Sequence, residues 1–361
     1  MLATTKKRVL VAPLDWGLGH ATRCVPIIHE LIRQGAEVIL AADGRGYSFF
    51  EKEFPDLMLL RLPGYGITYP KNGMIGLHLF LKSWSIAKKI KEEKKEIERI
   101  VQEYAIDIII SDNRFECRTD KTFNVYITHQ LHVKAPFLQK FVSNFHSKYY
   151  EKFDEIWVPD AEGKMNLSGE LGHDAMTITP FRYVGPLTRF PLTDLLNSRP
   201  RKWWLVVLLS GPEPQRTIFE NIVLEELAKH MEEVLVVRGM PEGKNKITHP
   251  YPHVTMMDHL EDKKLAEEIL SAHYVLCRPG YSTLCDLSAL NVSPIVVPTP
   301  GQTEQEYLAK YHESQNNVVV QNQKEFSMRE AINAFHHINL FGVYPDPAAL
   351  EKRVKGILRN K

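Results

Sequence analysis

The sequence predicts an α/β protein made of two doubly wound halves, each a parallel sheet with helices on both faces. Three observations lead there. Short runs rich in Val, Ile and Leu alternate with helix-length amphipathic stretches along most of the chain, as parallel sheets covered on both faces require. The alternation stops around residues 186–202, where Pro186, Pro191, Asn197, Ser198 and Pro200 break any periodicity, and then restarts. The length of 361 residues exceeds one ordinary core, and about 150 residues per domain gives two. The expected division is 1–190, a linker at 191–201, and 202–345, with the last segment, 346–361, crossing back to the first half.

Arg8 to Pro13 reads as the first strand and Leu14 to His20 as a glycine loop. A helix follows to Gln34, ended by Gly35, and Glu37 to Ala41 is the next strand. Pro26 is awkward deep in that helix, so the helix is expected to start late, near Thr22, or to kink. Thr22 also stands where the dinucleotide fingerprint has its third glycine, which argues against an NAD site. Further strands are expected at 57–62, 106–111, 123–128 and 155–159. Between the first two lies a long helical stretch, Met74 to Tyr104. Its apolar start, 74–84, is flanked by Lys71, Lys82, Lys88 and Lys89, and two readings fit it: packing on the sheet, or peripheral contact with an anionic membrane. The second half repeats the pattern, with strands at 203–209, 233–237, 253–257, 273–277 and 294–297 and a closing helix at 347–358.

Composition narrows the function. Lys and Arg total 45 against 44 Asp and Glu, so no overall field attracts nucleic acid. Cys24, Cys117, Cys277 and Cys285 form no CxxC pair, which suggests reduced thiols and a cytoplasmic protein, possible contact with the inner membrane face included. No HExxH or P-loop occurs, and Gly280-Tyr281-Ser282-Thr283-Leu284 lacks the second glycine of a nucleophile elbow. No metal and no cofactor are expected.

Chemistry-bearing residues gather where strands end. In the second half, Ser210-Gly211-Pro212-Glu213-Pro214-Gln215 precedes a helix whose start favours a diphosphate, although Glu213 puts a carboxylate in the same place. Gly280, Ser282 and Thr283 open the next helix. Asp286, one turn inside, either accepts both ribose hydroxyls or complements the helix dipole. In the first half, Gly17 and Gly19 permit close backbone approach beside His20. If the strands carrying them are neighbours, Asp112 orients the His20 imidazole as a general base. His129 and Gln130 lie at the same edge and are expected to bind an acceptor.

The order Gly17-Leu18-Gly19-His20, then Cys277-Arg278-Pro279-Gly280-Tyr281-Ser282-Thr283-Leu284-Cys285-Asp286, then Val297-Pro298 and Gln305-Glu306-Tyr307 resembles the GT-B glycosyltransferases related to MurG, the N-acetylglucosaminyltransferase of peptidoglycan synthesis. The resemblance spans nearly the whole chain, and its C-terminal motif is the specific part. It implies two Rossmann-like domains facing a cleft, with UDP-sugar in the second and acceptor in the first. By position, Asp286 matches the ribose-binding acid, Gln305 a glutamine that contacts the donor sugar, Ser210-Gly211 a diphosphate loop, and His20 the glycine-loop histidine. Arg278 lies within the donor motif, and Asp258-His259-Leu260 resembles the segment that reads uracil. Glu306 replaces a glutamine, and Pro212-Glu213-Pro214 replaces a glycine-rich turn. The implied reaction is metal-independent, inverting transfer of a sugar, an N-acetylhexosamine in the closest reading, to a hydroxyl acceptor, with lipid-linked acceptors among the options. UDP-sugar hydrolysis, epimerisation, or nucleotide-sugar binding by a non-catalytic partner subunit are the alternatives.

Overall fold

A computed structural model describes residues 6–66, 83–132, 146–173, 177–192, 200–243, 246–247, 251–335 and 338–359. The first sheet contains β1 (Arg8–Pro13), β2 (Glu37–Ala42), β3 (Met58–Arg61), β4 (Ile108–Asp112), β5 (Phe123–Ile127), β6 (Glu155–Val158) and β7 (Phe181–Tyr183). Their spatial order is β3-β2-β1-β4-β5-β6-β7, with every pair parallel. Helices α1 (Gly19–Arg33), α2 (Gly44–Glu53) and α3 (Ser83–Tyr104) belong to this half. Each central strand faces two cores. Val9 and Val11 pack with Ile27, Ile28 and Leu31 on one side, and Leu10 and Ala12 pack with Ile97 and Ile100 on the other. This is why the strand reads as a continuous apolar run rather than an alternating one.

The second sheet contains β8 (Trp203–Leu208), β9 (Val234–Val237), β10 (Lys246–Ile247), β11 (Val254–Met257), β12 (Ala272–Cys277), β13 (Ile295–Val296) and β14 (Val319–Val320). The order is β10-β11-β9-β8-β12-β13-β14, parallel except for the antiparallel β10. Its helices are α4 (Gln215–Leu227), α5 (Asp262–Leu270), α6 (Tyr281–Ala289), α7 (Thr303–Ser314) and α8 (Met328–Phe335). In both sheets the strand order reverses beside the first strand, which opens a crevice at the carboxyl ends.

Of the two alternatives for Pro26, the late start near Thr22 is corrected: α1 begins at Gly19 and runs through Pro26 to Arg33. An interior proline costs about 3 kcal/mol. Against that, Cys24, Val25, Ile27, Ile28 and Leu31 are buried, and each large apolar side chain contributes about 1.5–3 kcal/mol. Packing decides. Strands β7, β10 and β14 were not anticipated, because two or three residues carry no readable period. The apolar segment 74–82 lies outside the described residues. Among those described, no helix is long and apolar enough to cross a membrane.

Two segments tie the halves together. The last helix, α9 (Pro347–Arg359), places Leu350, Val354 and Ile357 in the core shared by β1 and α1. The loop after β6 goes the other way. Leu167 and Leu171 are fully buried in the second half's core, beside Leu308, Ala309 and Phe341. Asp160 shapes that loop by accepting N–H bonds from Ala161 (2.8 Å), Leu167 (3.0 Å) and Ser168 (2.8 Å).

Candidate active site

The first half's site sits at the carboxyl ends of β1 and β4, neighbours in the sheet. Leaving β1, the chain is held by the Leu14 N–H donating to Asp112 O at 2.9 Å. It turns through Gly17 at φ +83°, a conformation that side chains avoid, and enters α1 at Gly19. His20 is therefore in the first turn, and Arg23 lies three residues later on the same face. Asp112 ends β4, and Asn113, at φ +56°, turns the chain away behind it.

His20 Nδ1 lies 2.8 Å from Asp112 Oδ1. Arg23 grips the same carboxylate through Nε and Nη2, in two short bonds. Its Nη1 is 2.8 Å from Nδ1 of His129, and Nη2 also lies 2.8 Å from His20 Nδ1. His129 Nε2 is 2.9 Å from Oε1 of Glu304, in the first turn of α7. The His129 ring stacks on Tyr281 of α6, with centroids 4.1 Å apart and 6° between planes.

These partners constrain the tautomers. A carboxylate only accepts and a guanidinium only donates. At His20 Nδ1 the two partners pull in opposite senses: Asp112 calls for an N–H there, the form that leaves Nε2 free as a general base needs, and Arg23 Nη2 calls for a lone pair. His129 accepts from Arg23 at Nδ1 and donates from Nε2 to Glu304. Burial opposes ionisation of Asp112, but Arg23 and then His20 outweigh it and hold the carboxyl at about 2. Burial likewise works against the Arg23 charge, and Asp112 reverses this and raises it. Burial pushes His129 down, with Glu304 opposing.

The second half meets this site directly. Ser282 Oγ donates to Gly19 O at 2.8 Å, and Tyr281 Oη donates to Pro159 O at 2.6 Å. The start of α6 therefore abuts the start of α1, and neither N-cap makes a side-chain capping bond. A Cβ on Gly19 would meet Ser282 Oγ at 3.1 Å, so a larger residue here would press on this contact. A Cβ on Gly280 would meet only Thr283 Oγ1, at 3.9 Å, which leaves that helix start open to approach.

Residues 8–139 match the family model described as glycosyl transferase family 1, and residues 206–357 match the glycosyltransferase family 28 C-terminal domain. An uncharacterized glycosyltransferase of Methanosarcina acetivorans is 22% identical over 325 residues, 83% of this chain and 81% of that protein. Acinetobacter baumannii MurG shares the fold at TM-score 0.55 and 12% identity, over 98% of this chain and 100% of that one. The spinosyn rhamnosyltransferase SpnG complexed with thymidine diphosphate does so at TM-score 0.58 and 15% identity, over 98% and 92%. The chain is a GT-B glycosyltransferase.

The remaining anticipated residues of this glycosyltransferase are placed unevenly. Gln305 Oε1 accepts the Thr299 N–H at 2.8 Å and Glu306 Oε1 accepts the Gly301 N–H at 2.9 Å, so both shape the loop entering α7. Gln130 sits half-buried beside His129, its N–H on Thr128 Oγ1 at 3.1 Å. At the start of α4, Glu213 accepts the Thr217 N–H (3.2 Å) and hydroxyl (2.8 Å), Arg216 Nε (2.6 Å) and Arg45 of α2 (3.3 Å). Burial opposes its charge, yet Arg216 and Thr217 hold it at about 2. The helix start after Ser210 and Gly211 is thus filled by the chain's own carboxylate, and Gln215 is buried there. Arg278 is fully buried. It donates to Val297 O (2.8 Å), Gln323 Oε1 (2.5 Å) and Gln215 O (3.4 Å), and it reaches the cleft only through the loops it joins.

Asp286 faces the end of the first half. Its Oδ1 accepts from the Thr188 hydroxyl (2.8 Å) and the Arg189 N–H (3.3 Å), and its Oδ2 from Arg189 Nε (3.2 Å). A ribose would have to take over bonds already made. Arg189 also pairs with Asp262 at 3.0 Å. Burial, against the pull of Arg189, pushes the Asp262 carboxyl up from 3.8 to about 7. The folded protein therefore holds this proton more tightly than the unfolded chain, so stability falls as pH rises from about 4 to about 7. Asp262→Asn is expected to gain melting temperature relative to wild type at pH 8 compared with pH 5. Equal differences at both pH values would contradict the assignment.

Arg23, Glu304, Thr188 and Arg189 were not anticipated. Arg23 had a signal, its position three residues after His20 on a helix. The partners of the other three lie far away in sequence.

Proposed function

We propose that the protein transfers a sugar from a nucleoside diphosphate sugar, UDP-linked in the first instance, to a hydroxyl acceptor by a single inverting displacement. The observation that carries this reading is the His20–Asp112 pair lying against the uncapped start of α6. The acceptor oxygen forms its bond to the anomeric carbon as the bond to the diphosphate oxygen breaks. The acceptor proton passes to His20 Nε2, and Asp112 stabilises the imidazolium. The leaving diphosphate gathers its charge at the free N–H groups of α6, where backbone dipoles supply what a divalent cation supplies elsewhere. Gly280 leaves room for that approach. An N-acetylhexosamine donor and a lipid-linked acceptor are supported only by the family resemblance, and contact with the inner membrane face by the apolar, lysine-flanked sequence 74–84. SpnG was solved with thymidine diphosphate, so both pyrimidine diphosphates belong in the test.

A thermal-shift screen with UDP, thymidine diphosphate and their sugars is expected to show stabilisation by at least one. A ligand at about 100 times its dissociation constant adds roughly 2.7 kcal/mol. No shift with any of them removes the donor assignment. Stoichiometric sugar release without acceptor would identify water as the acceptor and the enzyme as a hydrolase.

A further inference from the structure

We propose that α2 is a salt-sensitive gate over the donor crevice, latched by Arg45, and that the nucleotide enters and leaves by opening it. The proposal rests on the reading of the second domain as the donor's site.

The crevice of the second sheet lies where its strand order reverses, between β8 and β12. Its walls are the loop leaving β8, Ser210 to Glu213, and the loop leaving β12, Arg278 to Gly280. The first domain touches the second on both sides of it. On the β12 side, Gly19, Pro159 and His129 hold α6 and α7. On the β8 side the contact is made by α2. Arg45 Nε donates to Glu242 Oε1 (3.0 Å), Nη2 to Glu213 Oε1 (3.3 Å) and Nη1 to Gly211 O (3.4 Å). Lys52 donates to Pro241 O, and the Phe49 ring meets the His259 ring edge-on with centroids 6.1 Å apart. Positions 45, 49 and 52 share one face of a helix, so a single face of α2 covers the loops after β8, β9 and β11. The first domain thus spans the crevice, and admitting a nucleotide to the start of α6 requires one side to part.

The two sides differ in what parting them costs. On the β12 side Tyr281 and His129 are 3% and 4% exposed, and Leu167 and Leu171 of the loop after β6 are sunk in the second half's core. Separation there uncovers apolar surface and strands buried polar groups. On the α2 side the carboxylates of Glu213 and Glu242 are on side chains 42% and 40% exposed. Ion pairs of that kind hold weakly, are screened by salt, and give way to water when they break. Phe49 belongs to the first domain's core, so it stays there when α2 withdraws and loses only an edge contact. Glu213 keeps Arg216 Nε (2.6 Å) and the Thr217 hydroxyl (2.8 Å) when Arg45 leaves, so the start of α4 is not disturbed. The β12 side is therefore the pivot, and the α2 side is the one that opens.

The test uses the full chain, with nitroxide labels at Glu51→Cys on α2 and Glu225→Cys on α4, both exposed positions, while the four native cysteines are buried. Without ligand, one short label distance is expected at about 0.05 M salt, and a second, longer population at about 1 M, where the screening length falls to about 3 Å. Arg45→Ala is expected to show the longer population already at low salt. With UDP or thymidine diphosphate bound, Arg45→Ala is expected to release the nucleotide about 3–10-fold faster than wild type at low salt, the scale of two exposed ion pairs. At high salt the two release rates should converge. Label distances that are the same in wild type and Arg45→Ala at both salt concentrations overturn the gate. Opening of α2 in the variant with no change in nucleotide release overturns it as well, because the nucleotide would then pass elsewhere. Failure of both nucleotides to bind wild type would instead remove the donor reading, with the label distances still deciding whether α2 opens.

Discussion

Replacing His20 by alanine is expected to lower kcat by about 10²–10⁴-fold, the typical loss for a positioned proton acceptor, with little change in melting temperature or nucleotide affinity. The fold should tolerate it because the carboxylate that His20 contacts keeps its stronger partner: Arg23 still holds Asp112 through two bonds. The side chain itself is 14% exposed and makes one contact to a carboxylate, so its removal leaves no large cavity. Nucleotide affinity should persist because the groups proposed to meet the diphosphate are backbone N–H groups at the start of α6. Steady-state kinetics with the true acceptor, alongside a melting curve and a nucleotide titration, checks all three. Turnover at the wild-type rate would show that the base lies elsewhere.

The second large effect concerns stability. Arg23→Met is expected to cost about 3–5 kcal/mol at pH 7, because it strands the fully buried Asp112 without its counter-charge. The double variant Arg23→Met/Asp112→Leu should recover much of that loss, since a well-packed apolar pair often replaces a buried ion pair at little cost. The pH dependence has a definite sign. Asp112 is depressed from 3.8 to about 2 in the folded protein. Its contribution is therefore complete above about pH 4 and is lost as pH falls toward 2. The gap between wild type and Arg23→Met should narrow on acidification from pH 7 to pH 3. Denaturant midpoints at the two pH values provide the measurement. A gap that stays constant would mean the pair does not stabilise through charge.

The sheets were legible because central strands covered on both faces must be apolar throughout, and Val9 to Ala12 and Ile108 to Ile110 are fully apolar runs. The juxtaposition of His20 with Asp112 was legible for a related reason: both follow strands, and neighbouring parallel strands bring their carboxyl ends together. What escaped was contact across long separations. Glu304 and His129 are 175 positions apart, and no local pattern records that α7 will settle on the loop after β5. Thr188 and Arg189 lie in a stretch without period, so their bonds to Asp286 left no trace. The start of α1 was misplaced for the opposite reason, since a local rule about Pro26 was overridden by burial of the residues around it.

The loop after β6 changes what a separable unit is in this protein. Leu167 and Leu171 leave the first sheet's covalent neighbourhood to complete the second half's core, while α9 returns to complete the first. Each half thus lends the other a piece of its interior. A truncation at the linker would produce two fragments, one presenting unburied leucines and the other an unfilled apolar slot, and neither would be expected to be autonomous. Recombination with a relative would have to transplant residues 160–173 together with the surface that receives them. The joint that lets the two halves work as one enzyme also commits them to evolve as one.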